Sequence, residues 1–142
     1  MKKHFKSIIV VSLLLLMPTA WAVSNAEYCL AKNIYFEARG ESTMGKLAVA
    51  KVTLNRTKSG KFPDTICAVV YQPYQFSWTK KPRPQVKLDK QWQESVRLAK
   101  YAVTTNIPEL AGFHALYFHN TSVHPHWHRK KIAKIGNHIF YN

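Results

Sequence analysis

The spacing of apolar residues is the feature of this chain that most restricts its fold. Trp92, Val96, Ala99 and Val103 recur at i, i+4, i+7 and i+11 behind Asp89, a residue type that caps helices. This stripe predicts a long helix with these four side chains in the core. Two short β-type runs lie near the C-terminus. The pattern predicts an α+β domain that is mainly helical, with a small antiparallel sheet near the C-terminus.

Two helices are predicted ahead of that stripe. Residues 24–27 have the Ser-x-x-Glu form of a capping box, which predicts a first helix over residues 25–39. A second helix is predicted to begin after Ser42 or Thr43 and to run to about residues 59–60. Its apolar surface is broad, so we expect it to be deeply buried.

The remaining segments have other signatures. Asp64 is predicted to cap a short helix through residues 66–70. Residues 71–78, YQPYQFSW, are rich in aromatic and amide side chains and contain a proline, which predicts a shaped loop or a short strand. Residues 115–119 and 137–141 predict two strands around a loop rich in His and Lys.

Length and composition narrow the class of protein. A chain of 142 residues suffices for one domain with a modest core. With 46% hydrophobic and 20% charged residues, wholesale disorder, collagen-like repeats and coiled coil are excluded. Lys and Arg number 21 against 7 Asp and Glu, a formal charge of +14. Such a charge favours an anionic partner: nucleic acid, anionic lipid or acidic cell-wall polymer.

The N-terminus has the pattern of a bacterial secretory signal. Three lysines precede an apolar run over residues 8–17, and a small-residue cleavage pattern ends at Ala22. This run is shorter than the roughly 20 residues that span a bilayer. We therefore expect a signal peptide at 1–22, a single domain at 23–142, no stable membrane span after cleavage, and a secreted or periplasmic protein.

Export would determine which partners the protein meets and whether its cysteines are oxidised. An exported basic protein is expected to meet anionic wall polymers and no nucleic acid, although a solvated basic face without a partner remains an alternative. In an oxidising compartment, Cys29 and Cys67 are expected to form one structural disulfide, with two buried thiols as the alternative.

Carboxylates are scarce, so their placement is informative. Glu37 falls at the end of the first predicted helix, where the helix dipole disfavours a carboxylate by about 0.3–1 kcal/mol, and it follows Tyr35 and Phe36. Both influences favour the protonated acid, which cleavage of a glycosidic bond needs as a proton donor. The alternative is a helix-end ion pair between Arg39 and either Glu37 or Glu41.

Several consecutive motifs resemble the catalytic core of the SleB-type cell-wall hydrolases, the spore cortex-lytic and phage-associated group. The motifs over residues 29–78 are EARGE at 37–41, Gly45-x-x-Ala48-Val49-Ala50, Leu54-Asn55-Arg56, Phe62-Pro63, Tyr71-Gln72-Pro73 and Gln75-Phe76-Ser77-Trp78. Tyr117-Phe118-His119 and Ile135-Gly136-x-His138-x-Phe140-Tyr141 extend the resemblance towards the C-terminus.

The resemblance implies a compact domain related to lysozyme-like lytic transglycosylases, acting as a monomer without a cofactor on the glycan strands of peptidoglycan. The bond cleaved would join N-acetylmuramic acid to N-acetylglucosamine. Glu37 would be the general acid and then the base. Glu41 would support the site by positioning Arg39 or the substrate, and an exchange of roles between the two glutamates stays open.

Further side chains are candidates for substrate contact or support. Aromatic faces stack on sugars and amides bind hydroxyl and N-acetyl groups, although each aromatic could equally belong to the core. The candidates for glycan contact are Tyr71, Gln75, Phe76 and Trp78. Asn55 is expected to order the site through backbone hydrogen bonds, with Tyr117 and His119 on the opposite wall of the cleft. The basic stretch 80–87 departs from the family pattern.

Two rival functions explain some of these features. The histidine cluster around His124, His126 and His128 could indicate a zinc amidase, yet that loop holds no acid or Cys and the H-E-x-x-H spacing is absent, so no metal is predicted. A non-catalytic basic module that binds the wall would explain the charge, the signal and the disulfide but not the glutamates at 37 and 41.

Overall fold

A computed structural model describes residues 22–142. The elements are α1 (Asn25–Ala38), α2 (Thr43–Lys58), α3 (Ile66–Val70), α4 (Lys90–Thr105), β1 (Tyr117–Asn120), β2 (Lys131–Ile135) and β3 (His138–Tyr141). The predicted signal peptide lies, apart from Ala22, outside the described residues. Over residues 22–142, no helix has the length and apolar character needed to cross a membrane.

The helices begin at side-chain caps that the sequence largely predicted. Ser24 and Glu27 form a reciprocal capping box at α1, and Asp89 caps α4 by accepting a hydrogen bond from a first-turn backbone N–H. The predicted cap Asp64 is wrong. Thr65 caps α3 instead, because it directly precedes the first helical residue and its hydroxyl accepts from the backbone N–H of Ala68.

The core side of α4 differs from the predicted stripe. Of the four predicted residues only Ala99 is fully buried, and Trp92, Val96 and Val103 are partly buried at the edges. The side facing the core consists of Ser95, Leu98, Ala99 and Ala102. The hydroxyl of Ser95 donates to Gln91 O within the helix, so it is satisfied without leaving the core. Mostly small side chains therefore face α1 and α2.

Helix α2 lies at the centre of the core, as its broad apolar surface predicted. Every residue from 45 to 54 is buried. Its two buried lysines are paired: Lys46 Nζ lies 2.6 Å from Glu94 Oε2, and Lys51 Nζ donates to Asn106 O over 2.8 Å. Burial of the ammonium groups is tolerated because each has a hydrogen-bond acceptor.

The sheet contains one strand more than predicted. Its order is β1-β3-β2, and both pairs are antiparallel. Strands β1 and β3 correspond to the two predicted strands. Strand β2, sequence KIAKI, forms within the predicted loop, where its register shifts between Lys131 and Ala133. Exposed lysines at this edge strand conceal the alternation that would have identified it.

The predicted disulfide is present. Cys29 and Cys67 are joined, with their Cα atoms 5.3 Å apart, so α1 is tied to α3. Helix α1 carries Glu37 eight residues after Cys29, and α3 leads directly into residues 71–78. The disulfide therefore fixes the chain segments on both sides of the candidate site.

Candidate active site

Glu37 lies in the last turn of α1 and faces an open pocket. The pocket has a volume of about 360 Å³ and is lined by Glu37, Tyr74, Gln75, Phe76, Ser77 and Lys80. It lies between the end of α1 and the loop that follows α3. A larger cavity of about 530 Å³, lined by Asn55, Lys51 and Lys58 among others, contains no carboxylate. The smaller pocket is therefore the candidate site for acid–base chemistry.

Burial raises the pKa of Glu37 from 4.5 to about 7. The Trp78 indole and the charge of Arg56 act in the opposite direction and keep the pKa from rising further. The indole Nε1 of Trp78 is buried and makes no hydrogen bond of ordinary geometry among the described residues, so its effect is that of a nearby dipole. Near neutral pH, Glu37 can both donate and accept a proton.

This raised pKa predicts a pH-dependent stability. Below pH 4.5 Glu37 is protonated in both folded and unfolded states. As the pH rises towards 7, the unfolded chain releases the proton while the folded protein keeps it, so the free energy of unfolding falls by about 3 kcal/mol. Glu37→Gln, a neutral isostere, should lack this decrease and be more stable than the wild type at pH 8. Denaturant unfolding from pH 4 to 8 measures the difference, and parallel curves for the two proteins would contradict the raised pKa.

The other carboxylates have structural contacts or lie in the solvent. Glu27 belongs to the capping box, Asp89 caps α4, Glu94 pairs with Lys46, Glu109 accepts from the Tyr101 hydroxyl, and Asp64 is exposed on a loop. Within residues 22–142, Glu37 is the carboxylate whose pKa is raised.

Glu41 contacts the turn between β2 and β3. Its Oε2 accepts from the backbone N–H of Asn137 over 3.1 Å, and its Oε1 lies 4.0 Å from His138 Nδ1. Gly136 has φ +56°, and a Cβ there would clash with Glu41 Oε2. The carboxylate thus fills space that a glycine leaves open and ties the sheet to the loop before α2.

Arg39 has a different partner from the one expected. Its guanidinium lies over the Tyr35 ring, 5.3 Å from the centroid, and Nη1 donates to the Tyr35 hydroxyl over 3.4 Å. The part of the chain that the structure describes shows no ion pair between Arg39 and either Glu37 or Glu41. The helix-end ion pair therefore does not account for the two glutamates.

The aromatic candidates of residues 71–78 differ in exposure. Phe76 and Trp78 are 5% and 8% exposed, and Trp78 stacks on Phe36 with ring centroids 4.9 Å apart. Tyr71 is half-buried against Trp78, and its outer face is covered by Arg83, 4.9 Å from the ring centroid. Phe76 lines the pocket, Trp78 packs against Phe76 and Tyr71 packs against Trp78, so these rings offer little free face to a sugar. Gln75 is exposed at the pocket.

Arg56 is the residue of this site that the sequence reasoning passed over. It is 4% exposed, its Nε donates to Leu116 O over 2.7 Å, and its Nη1 has no hydrogen-bond partner among the described residues. The guanidinium lies over the rings of Phe62 and Tyr117, at 4.7 and 5.8 Å from the centroids. The Leu54-Asn55-Arg56 motif was the sequence feature that could have identified Arg56 as a site residue.

The remaining candidates lie farther along α2 and the sheet. Asn55 Nδ2 donates to Phe113 O and Ala115 O, at 2.8 and 3.0 Å, which fixes the segment leading into β1. Tyr117 adjoins Arg56, whereas the His119 imidazole stacks on Tyr141 and contacts its hydroxyl at 2.9 Å. The structure therefore places Tyr117 beside Arg56 and His119 against Tyr141, and neither side chain is among those that line the pocket at Glu37.

The exposed histidines of residues 124–128 do not form a metal centre. Over residues 22–142, no group of three or more His, Cys, Asp and Glu side chains could hold a metal ion. The described part of the chain therefore offers no set of zinc ligands that would support the zinc amidase hypothesis.

The domain is mainly helical α+β, and a carboxyl group with a raised pKa faces an open pocket, which is an arrangement suited to acid–base chemistry. The family model described as "Cell Wall Hydrolase" matches residues 40–141, beginning three residues after Glu37. The chain belongs to this cell wall hydrolase family.

Similar proteins agree with that membership. The chain is 37% identical over 116 residues to the spore cortex-lytic enzyme of Oceanobacillus iheyensis and 32% identical over 118 residues to that of Bacillus subtilis, covering 78% of this chain in both cases. It spans 39% and 35% of the lengths of these relatives.

Two solved structures have the same fold. One is the catalytic domain of the germination-specific lytic transglycosylase SleB from Bacillus anthracis, with TM-score 0.66, 29% identity, and coverage of 89% of this chain and 100% of that one. The other is the catalytic domain of Bacillus cereus SleB, with TM-score 0.66, 30% identity, and coverage of 85% and 93%. The predicted α+β class, mainly helical with a small antiparallel sheet, is confirmed.

Proposed function

We propose that this protein cleaves peptidoglycan at the bond between N-acetylmuramic acid and N-acetylglucosamine as a lytic transglycosylase. The observation that carries the proposal is Glu37, a carboxyl group in an open pocket whose burial raises its pKa to about 7. The family membership and the two SleB catalytic domains of the same fold support the substrate class.

Glu37 would act twice in this reaction. As acid, it donates its proton to the glycosidic oxygen while the bond from C1 of the muramic acid to that oxygen breaks. As base, the resulting carboxylate takes the proton of the muramic acid 6-hydroxyl, whose oxygen bonds to C1 and closes a 1,6-anhydro ring. Arg56 would stabilise the carboxylate between the two steps, since its charge favours the ionised form.

A single carboxylate suffices for this mechanism because the substrate supplies the nucleophile. A retaining hydrolase would need a second carboxylate about 5–5.5 Å from the first. Glu41 is the other acid of the motif, and its oxygens already contact Asn137 and His138. This arrangement favours the transglycosylase over a two-carboxylate hydrolase.

Mass spectrometry of the sugar ends tests the proposal. Purified protein lacking residues 1–22 is incubated with insoluble peptidoglycan, and the soluble products are analysed. We expect muramic acid ends lighter by one water than reducing ends, because the 6-hydroxyl replaces water as the nucleophile. Reducing ends would instead show a hydrolase, and no released sugar from folded, oxidised protein would contradict cleavage altogether.

The proposal extends to where the protein works. Residues 1–22 would direct export, and the domain at 23–142 would act in the cell envelope as a monomer. Without Lys2, Lys3 and Lys6, the domain keeps 18 of the 21 Lys and Arg against 7 acids, and this excess would hold it on anionic wall polymers. The disulfide between Cys29 and Cys67 fits an oxidising compartment.

A further inference from the structure

Tyr74 is the most exposed large hydrophobic side chain of residues 22–142, at 91%. It lines the same pocket as Glu37, together with Gln75 and Lys80. Within the described residues, its side chain has no hydrogen bond, ring contact or cation–π contact. A tyrosine in this position contributes nothing to the core.

The backbone at Tyr74 is unfavourable for a tyrosine. Gln75 N–H donates to Gln72 O over 3.3 Å, with Pro73 and Tyr74 at the two central positions of the turn. Tyr74 has φ +65°, which is the left-handed conformation at the third position of a type II turn. That position favours glycine, so the turn does not account for the tyrosine either.

The neighbouring aromatic rings are not available for contact with a ligand in the pocket. The rings of Phe76 and Trp78 are buried in the stack that includes Phe36, so their faces are not free for a ligand. Tyr74 offers a free aromatic face at the pocket, and the Gln75 amide beside it can bond a polar substituent. An exposed aromatic face with polar groups alongside suits a sugar, whose rings have an apolar face and polar edges.

We infer that Tyr74 is a substrate-binding residue whose ring stacks on a sugar of the glycan strand bound next to Glu37. This inference rests on the proposed function, because it takes the glycan as the ligand of the pocket. The strained turn then serves to hold the ring out over the pocket.

Binding of purified glycan strands by Tyr74→Gly and Tyr74→Phe tests the inference. Both changes are made in the Glu37→Gln background, so that the strands stay intact, and binding is measured by cosedimentation with insoluble peptidoglycan and by titration with soluble strands. We expect Tyr74→Gly to bind about tenfold more weakly, the loss of one aromatic contact, and Tyr74→Phe to bind as the parent does.

A folding control separates this result from a structural effect. Glycine adopts φ +65° freely, so Tyr74→Gly should unfold at the same temperature as the parent or a higher one. Equal binding by Tyr74→Gly and the parent would overturn the inference, as would equal losses in Tyr74→Gly and Tyr74→Phe. Weaker binding of Tyr74→Gly without sugar release by the wild type would refute the proposed cleavage and leave the stacking role standing.

Discussion

Replacing Glu37 with Gln should lower the rate of sugar release from peptidoglycan by about 10²- to 10⁴-fold, the usual contribution of a general acid or base. Gln has nearly the same shape and can occupy the same half-buried position, but it can neither donate the proton to the leaving oxygen nor accept one from the 6-hydroxyl. The measurement is the initial rate of muropeptide release by wild type and variant at pH 7, with cosedimentation to show that binding is retained.

Glu41→Gln is the matched control, because it makes the same chemical change in the same motif. The amide oxygen can still accept from Asn137 N–H, so the β2–β3 turn should keep its anchor. We expect its rate to fall less than tenfold. If Glu41→Gln loses more activity than Glu37→Gln, the two glutamates have the opposite roles, and the second carboxylate of a hydrolase returns to consideration. Retained activity in Glu37→Gln would refute the acid assignment.

The sequence predicted that the pKa of Glu37 would be raised, but it did not predict the main cause of the rise. The helix end and the neighbouring Tyr35 and Phe36 favour the protonated acid by a small amount. The larger effect is burial, which arises when residues 74–80 fold over the end of α1. That loop is far from Glu37 in sequence, so its contribution could not be derived from local spacing.

The exposure of the aromatic residues in 71–78 could not be predicted from local sequence either. From the sequence, Phe76 and Trp78 were predicted to contact the sugar, whereas Tyr74 was not among the predicted site residues. Which rings point inward depends on the turn at residues 72–75 and on Phe36 of α1, which stacks on Trp78. Local signals predicted a loop here, but the exposure of each ring is set by tertiary packing.

The caps of α1 and α4 and the disulfide were the most predictable features because each depends on few residues. The capping box and the Asp89 cap are local hydrogen bonds, and two cysteines allow one pairing. The core side of α4 was offset from the predicted stripe because Ser95, Ala99 and Ala102 are small and, with Leu98, let α1 and α2 approach more closely than the larger Trp92 would. Apolar size alone therefore overestimated the burial of Trp92.

Removing the disulfide should have the largest effect on stability. In the double variant Cys29→Ala and Cys67→Ala, the unfolded chain gains the freedom of a loop with a sequence separation of 38, which lowers the free energy of unfolding by about 3–4 kcal/mol. For a domain of this size that corresponds to a melting temperature lower by about 12–16 °C. Thermal unfolding followed by circular dichroism measures the change.

Reductant supplies the control within the same experiment. Treating the wild type with a phosphine reductant under unfolding conditions should lower its melting temperature to about that of the double variant, and the double variant itself should not respond. Because the disulfide ties α1, which carries Glu37, to the helix that leads into the Tyr74 loop, the reduced protein should also lose activity at temperatures below its unfolding transition. A wild-type melting temperature that is unchanged by full reduction would show that packing of α1 against α3 holds this region without the disulfide.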